Sequence, residues 1–451
     1  MSQFPRYESY KDSGVQWLGE IPSHWQVIKS KFVFNFSKGL TITKENLIDE
    51  GIPCVSYGEV HSKYGFEVDP KKHELKCVSE SYLSSDLNSL LHRGDFIFAD
   101  TSEDVKGSGN FTYINSDVPT FAGYHTVIAR MYVNNNPRFL AYVFDSNAHR
   151  SQIQTVIKGV KVFSITQAIL KNTFIWLPEL EEQNYIVNFL DKRLAQIDEL
   201  IAKQEELLKK LAEQRIALIS HAVTKGLDPN VEMKDSGVEW LGKVPKHWVC
   251  MGLKKSLESI VDYRGKTPEK VETGIFLVTA RNIKNGHIDY SLSQEYVEEE
   301  QYSKIMSRGV PELGDVLLTT EAPLGEIAQI DNVNIALAQR VIKFRGKKEV
   351  LDNDFLKYFM LSRNFQDSLY TYSSGSTAIG IKAERLSYLR ILIPPMEEQK
   401  LIKKFIDQGV YEIENMSSKV EQTLKVLKEY RSTLITQVVT GKIDVRNIDV
   451  N

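Results

Sequence analysis

The fifteen residues "KDSGVQWLGEIPSHW", from Lys11 to Trp25, return almost unchanged as "KDSGVEWLGKVPKHW", from Lys234 to Trp248. Asp, Gly, two Trp, Pro and His keep their register, which a chance match of this length would not preserve. The chain therefore carries a duplicated module, and any fold for it comes in two parts. A second duplication closes each part. The stretch from Trp176, "WLPELEEQNYIVNFLDKRLAQIDELIAKQEELLKKLAEQRIALISHAVTKG", aligns without a gap with the stretch from Leu392. Matched pairs include Glu181-Glu182-Gln183 with Glu397-Glu398-Gln399, Asp191 with Asp407, Arg215 with Arg431, and Val223-Thr224 with Val439-Thr440. Weaker echoes lie between, at Phe139-Leu140-Ala141-Tyr142 and Phe355-Leu356-Lys357-Tyr358, and at Gly94-Asp95 and Gly314-Asp315. The period is far too long for a solenoid.

The closing stretches carry the clearest periodicity. Leu190, Leu194, Ile197, Ile201, Leu208, Leu211, Leu218 and Ala222 follow steps of three and four, interrupted by Gln204 and Arg215. Ile406, Val410, Ile413, Val420, Leu424, Leu427, Leu434 and Val438 do the same, interrupted by Ser417 and Arg431. Such seams pack as coiled coils, and a helix of about 40 residues would be ~60 Å long. A seam that long needs covering, and the other helix is the natural cover. The interrupting polar residues are expected to fix register.

The regions between read differently. "KFVFNF", "IPCVSYGEV", "DFIFAD", "TVIARMYV" and "TFIWL" in the first half are short apolar or alternating runs broken by turn residues. So are "GIFLVTARNI", "DVLLTTEA", "IALAQRVIKF" and "LRILIP" in the second, and helical stretches lie near Phe139–Ala148 and Asp354–Ser368. This mixture predicts an α+β region in each half. The expected layout is a first globular region over 1–178, a long helix over 179–226, a second globular region over 227–395, and a second helix with tail over 396–451.

Composition narrows the class. With 42% hydrophobic and 25% charged residues among 451, the chain can bury two cores. No apolar run approaches the roughly 20 residues of a membrane span, and the first residues lack the apolar core of a secretion signal. Three scattered cysteines are too few for a disulfide framework, so a reduced, cytoplasmic setting is expected. The net charge of −3 means that any nucleic-acid contact would have to come from locally clustered cations.

Catalytic motifs do not survive inspection. "YRGKT", Tyr263 to Thr267, ends like a phosphate-binding loop, but Ile260 stands where that loop needs glycine. "SGSTAIG" near Gly375 lacks dinucleotide-fold spacing. No His or Cys set has zinc-ligand spacing, and no nucleophile elbow occurs. His24 and His247, repeated beside Trp, read as packing corners. Glu181 and Glu182, with their counterparts, complement a helix N-terminus.

The loops instead offer nucleic-acid chemistry. Gly, hydroxyl and cationic residues combine at "SKGLTITKEN" and "YRGKTPEK", where amides and cations can hold phosphates. "TARNIKNG" supplies Arg281 and Asn282, side chains able to read guanine or adenine edges. "GYHTVIAR" and "LAQRVIKF" occupy comparable places in the two copies, as do "TSEDVKGSGN" and "TTEAPLGE". The residues expected to contact nucleic acid are Lys38, Thr41, Lys44, Tyr57, Lys106, Tyr124, His125, Lys158 and Lys161 in the first half. In the second half they are Arg264, Lys266, Thr267, Arg281, Asn282, Lys284, Thr320, Gln339, Arg340, Ser376, Thr377 and Lys382.

With these features assembled, the chain resembles the specificity subunit of type I DNA restriction–modification enzymes. The carriers are the "KDSGV-WLG--P-HW" openings, "RGKTP" at Arg264 to Pro268, the "LP-LEEQ" and "IPPMEEQ" junctions, and helices ending in "AVTKG" and "VVTGK". The first half departs from the pattern with "SKGLTITK" in place of "RGKTP". The resemblance implies two target-recognition domains related by a pseudo-two-fold repeat, each reading half of a split double-stranded DNA site, on an antiparallel coiled coil. It implies two methylation subunits using S-adenosylmethionine on adenine and two restriction subunits driven by ATP with Mg. No cofactor is implied for this chain, which holds no Asn-Pro-Pro-Tyr-like methylase motif and no helicase motif. A coiled-coil scaffold with protein- or RNA-binding domains is the alternative among binding modules. A nuclease or methylase with a fused recognition domain is the enzymatic one.

Overall fold

A computed structural model of the chain describes residues 4–159, 161–263, 265, 268–375 and 379–448. The chain forms two compact units, residues 1–203 with 423–451 and residues 204–422. Each unit holds one globular region, the start of one long helix and the end of the other.

In the first unit the repeated opening forms a hairpin of Tyr10–Asp12 and Glu20–Pro22. Asp12 Oδ1 accepts from the Gly14 amide at 2.9 Å, closing an Asx turn. Trp25 then enters the core, fully buried. Its indole Nε1 donates to Glu182 Oε1 at 3.0 Å, and the Tyr7 hydroxyl donates to the same oxygen at 2.7 Å. His24 Nε2 bonds Glu182 Oε2 at 2.7 Å. Burial and the Glu182 carboxyl push the Tyr7 phenol well above its ordinary range. Charge at a helix start thus accounts for the exposed Glu181 but for only part of the role of Glu182, which fastens the opening segment to the first long helix. Gln183 completes the junction. Its Oε1 accepts from the Asn136 amide at 2.9 Å, and its Nε2 donates to the Pro178 carbonyl at 2.9 Å.

The globular region of this unit is built on a five-stranded sheet, in the order Phe34–Lys38, Thr126–Met131, Phe96–Ala99, Phe111–Ile114, Phe66–Val68. All pairings are antiparallel except the last. A smaller sheet runs Cys77–Val78, Ile52–Val55, Thr120–Ala122, Leu90–Leu91. Helix Pro137–Asp145 covers the large sheet through Phe139, Leu140, Val143 and Phe144. It starts where Asn136 accepts from the Arg138 and Phe139 amides, with Pro137 in the first turn. Ser146 ends that helix and caps the next, Asn147–Gln154, so the single helical stretch expected from sequence is two.

The second unit repeats the plan. Its hairpin is Met233–Asp235 and Lys243–Pro245, and its main sheet runs Leu257–Asp262, Val341–Gly346, Val316–Thr320, Leu324–Gln329. A smaller sheet of Tyr296–Val297, Ile275–Val278 and Ile335–Leu337 lies beside it. The run "IALAQRVIKF" is therefore two strands in different sheets. Helices Asn353–Leu361 and Arg363–Thr371 divide at Ser362 as their counterparts do at Ser146. Gln399 repeats the bonds of Gln183, to the Asp352 amide and the Pro394 carbonyl, each at 2.9 Å. The Gly-Asp echo marks a buried carboxylate. Asp95 is held by Arg130 at 2.7 Å, and Asp315 by Arg345 at 2.7 Å and by buried Lys343 at 2.9 Å. Burial alone would raise the Asp315 carboxyl, but hydrogen bonds from Arg345 and Lys343 hold it below the ordinary carboxylate range.

The long helices span Leu180–Lys225 and Met396–Val439. Within the first unit their segments run antiparallel: Trp176 Nε1 donates to the Val439 carbonyl at 2.5 Å, and Asp198 accepts from Arg431 at 2.7 Å. Within the second, Arg215 pairs with Glu414 at 3.8 Å, and Leu218 lies over Gly409, where a Cβ would come within 2.7 Å of it. Every expected seam residue is buried or half-buried. Arg215 and Arg431, two of the four polar interruptions, each pair with an acid of the facing helix, while Gln204 and Ser417 are half-buried. Each helix ends on a glycine of positive φ, Gly226 and Gly441. A Cβ on Gly441 would overlap Pro22, and one on Gly226 would touch Trp248, so the repeated opening of each unit seats the end of a helix.

Glu182→Ala strands two buried donors, those of Tyr7 and Trp25, and releases exposed His24, whereas Glu398→Ala removes the bond from His247 to a partly exposed carboxyl. The first substitution is expected to destabilise its unit by on the order of 3 kcal/mol, the second by about 1 kcal/mol. Hydrogen exchange of the Trp25 and Trp248 neighbourhoods, compared in the two variants, checks the difference.

Candidate nucleic-acid interface

Sheet topology brings the expected loops of the first unit to one region. The Gly39 amide donates to the Thr126 carbonyl at 3.2 Å and the Leu40 amide to Ala122 at 2.8 Å, placing Lys38 and Thr41 beside the turn that carries Tyr124 and His125. The Tyr57 amide donates to the Tyr124 carbonyl at 3.2 Å, and the Tyr57 ring stacks on His61 at 5.0 Å. Thr101–Ser102 pairs with Phe163–Ser164, so the loop of Lys106 lies near the loop of Lys158 and Lys161. Lys38, Thr41, Lys44, Lys106, His125, Lys158 and Lys161 are exposed, and Tyr57 and Tyr124 are half-buried. An acid accompanies one of them: His125 Nδ1 bonds Asp100 Oδ1 at 3.2 Å. Burial, then Glu103, Asp104 and Asp100, raise the Tyr57 phenol. A polar cleft of about 570 Å³ opens alongside, lined by His61, Lys106, Asn110 and Arg150 among others.

In the second unit the Ala338 amide donates to the Val278 carbonyl at 2.9 Å, setting the turn of Gln339 and Arg340 beside the turn after Val278. That turn carries Arg281, whose exposed guanidinium makes no ion pair or hydrogen bond among the described residues. Lys284 is exposed on a two-residue hairpin arm, joined to His287–Ile288 through Asn285 and Gly286, both of positive φ. Arg340 is exposed and pairs through Nε with Glu321 at 2.8 Å. Lys382 is exposed next to Ile381, whose amide bonds the Thr320 carbonyl at 3.0 Å. A cleft of about 270 Å³ is lined by Tyr263, Gly265, Pro268, Lys304, Arg308 and Gln339, among others. Arg264, Lys266, Thr267, Ser376 and Thr377 lie outside the described residues.

Two expected contacts are corrected. Asn282 is fully buried, with its carboxamide spent on the chain itself. Oδ1 accepts from the Thr279 amide at 2.9 Å and hydroxyl at 2.8 Å, while Nδ2 donates to the Asp289 carbonyl at 3.1 Å and to that of Leu292. Asn282 therefore shapes the turn that presents Arg281. Buried Glu59 acts likewise in the first unit, accepting from the Ser56 amide at 3.2 Å next to Tyr57. The side chain of Thr320 is buried too, and only its backbone takes part in joining the loops. Sequence patterns miss Asp100, Glu321 and Arg308, whose Nη1 donates to the Asp262 carbonyl at 2.8 Å, because nothing local marks a residue that bonds a distant turn, and they miss Glu59 because its burial is decided by the packing around it.

Among the described residues no set of three His, Cys, Asp or Glu is placed to hold a metal ion, and no helix is long and apolar enough to cross a membrane. Each unit thus carries an α+β head on a pair of helix segments, with loops of mixed charge gathered at one region of the head. The model of the family described as "Type I restriction modification DNA specificity domain" matches residues 22–210 and 254–425, and the chain belongs to that family. It is 24% identical to the putative type I restriction enzyme MjaX specificity subunit of Methanocaldococcus jannaschii, over 98% of this chain and 99% of that relative. To the MjaVIII specificity subunit of the same organism it is 27% identical, over 68% and 71%. To the EcoKI specificity subunit of Escherichia coli K12 it is 21% identical, over 94% and 90%. A solved structure from a study of complex assembly and conformational transition of the type I R-M system matches with a TM-score of 0.69 at 18% identity, over 94% of this chain and 99% of that one. The HsdS subunit of Thermoanaerobacter tengcongensis matches with 0.51 at 17%, over 94% and 98%. At these identities the structural matches show the shared fold.

Asn282→Ala removes four hydrogen bonds and leaves their partners without them. The expected result is faster amide exchange across residues 279–292 with the rest of the second unit unchanged. Binding to DNA by the assembled protein should fall about as far as in Arg281→Ala, measured by titration of a labelled duplex.

Proposed function

We propose that this chain is the non-catalytic DNA reader of a type I restriction–modification complex, with each globular region reading one half of a split double-stranded site. The observation that carries this reading is the contrast between preserved and divergent parts. The openings, junctions and helices of the two units share most of their bonds, from the opening histidine to the second junction glutamate, from the glutamine to the helix cap and from each seam arginine to an acid, while the loop tips differ. Identical parts suit identical partner subunits, and different tips suit different half-sites. Two methylation subunits would bring S-adenosylmethionine chemistry to adenine, and two restriction subunits would bring ATP, Mg and cleavage. Such partners would also supply much of the phosphate contact that a net charge of −3 does not provide. The three cysteines are free thiols, which suits a reduced cytoplasmic setting.

Of the residues named for contact, exposed Lys38, Lys44, Lys106, Lys158, Lys161, Lys284 and Lys382 suit phosphates, and Arg281 suits a guanine edge. Thr41, Tyr57, Tyr124 and Gln339 offer further polar contacts. The decisive experiment co-expresses the chain with its methylation subunit and maps methylated adenines across the host genome, with and without this chain. The expected outcome is a split motif that disappears with the chain. Its absence despite assembly would favour a scaffold.

Exchanging residues 227–395 for the corresponding region of a relative should change one half of the motif and leave the other intact. Arg281→Ala should relax one position of that same half by roughly tenfold or more in discrimination. An equal loss on every sequence would make Arg281 a phosphate contact.

A further inference from the structure

The two heads differ most at their loop tips, yet one position there sits in the same backbone frame in both. In the first unit the Gly123 amide donates to Val55 at 2.8 Å, Gly39 to Thr126 at 3.2 Å, Asp100 to His125 at 3.1 Å, and Ile165 to Asp100 at 2.7 Å. In the second the Ala338 amide donates to Val278 at 2.9 Å, Tyr263 to Val341 at 3.3 Å, Thr320 to Arg340 at 2.8 Å, and Ile381 to Thr320 at 3.0 Å. These are matching bonds at matching places in the two heads. The framed residue is His125 in one head and Arg340 in the other.

Both framed residues have positive φ, +54° and +74°. In that conformation Cβ crowds the neighbouring carbonyl, and glycine would be the easier choice. The chain instead places a large, hydrogen-bonding side chain there twice, each time exposed and each time against a carboxylate at the end of the adjoining strand. Asp100 serves His125 and Glu321 serves Arg340. A frame kept for its backbone alone gives no reason for either choice.

We propose that this slot carries a base-reading side chain in each head, steadied by its carboxylate until a base edge takes the carboxylate's place. The inference rests on the DNA-reading role above and goes further, assigning one specificity-determining position to each half-site. An exposed bond to a carboxylate is weak, so a base can displace it, while the negative charge discourages settling on phosphate. The forked guanidinium of Arg340 matches the two acceptors of guanine in the major groove, and the imidazole of His125 makes a single bond. Identical frames with different occupants let the two heads read different bases without rebuilding the fold.

The test uses the complex of this chain with its methylation subunit and duplexes in which each position of the mapped site is varied singly. His125→Gly and Arg340→Gly suit the purpose because glycine accepts the backbone conformation without strain. Each is expected to lose roughly tenfold or more of the discrimination at one base pair of its own half-site, with the other half-site unchanged. For Arg340→Gly the affected pair should be G·C. Asp100→Asn and Glu321→Gln should tighten binding to non-cognate duplex. Full discrimination in both glycine variants would overturn the proposal, as would a uniform loss on all duplexes. Absence of chain-dependent methylation by the unaltered complex would instead overturn the DNA-reading role on which it rests.

Discussion

A helix of 46 residues with an apolar seam along its length cannot stand alone in water, and the rest of this structure follows from how that seam is covered. In each unit the cover comes from the facing segment of the other long helix and from the globular region itself. Ile186, Phe189, Leu190 and Leu194 share one core with Trp25, Trp176 and the sheet phenylalanines of the first unit. Ile219, Ala222 and Val223 share another with Trp248, Ile402 and Ile406. Head and helix are thus one hydrophobic body in each unit. A head joined in this way is held in a defined orientation on its helix, which a reader of DNA requires.

The repeated sequence signatures are the fastenings of this arrangement. Tryptophan and histidine of the opening meet the second glutamate of the junction, the glutamine ties down the cap of a short helix, and the helix-end glycine lets proline and tryptophan approach. The two copies are not equal, however. Glu182 is enclosed by Tyr7 and Trp25, and Phe4 packs edge-on against Phe189. In the second unit the counterpart Glu398 is more exposed, Phe405 is half-exposed, and the Trp248 indole nitrogen is buried without a hydrogen bond. The residues ahead of the second opening have no tyrosine at the place of Tyr7, which accounts for the looser junction.

The proposed function depends on the opposite property, divergence at the tips. Buried Asn282 and Glu59 stiffen equivalent turns with different chemistry, and those turns carry Arg281 in one head and Tyr57 in the other. Neither role shows in a motif. Asn282 has the side chain of an adenine reader, and only its burial reveals a positioning residue. Likewise "IALAQRVIKF" reads as one strand because no Gly, Pro, Asn or Asp interrupts it, whereas a positive φ at Arg340 divides it between two sheets.

Duplication, the α+β class, the two long helices and their seams are determined by the sequence itself. Periodicity and repetition are local or linear properties, and apolar spacing dictates which helix face is buried wherever its cover comes from. The resemblance to specificity subunits rests on the same linear order of signatures. Tertiary structure alone decides which loops become neighbours, because strands distant in sequence pair by shape and hydrogen bonding. Lys38 stands beside Val127, and Ile165 beside Asp100, only because strands distant in sequence are adjacent in the sheets. The same pairing decides that Asn282 is buried while its neighbour Arg281 is exposed, since burial depends on what the rest of the chain packs against.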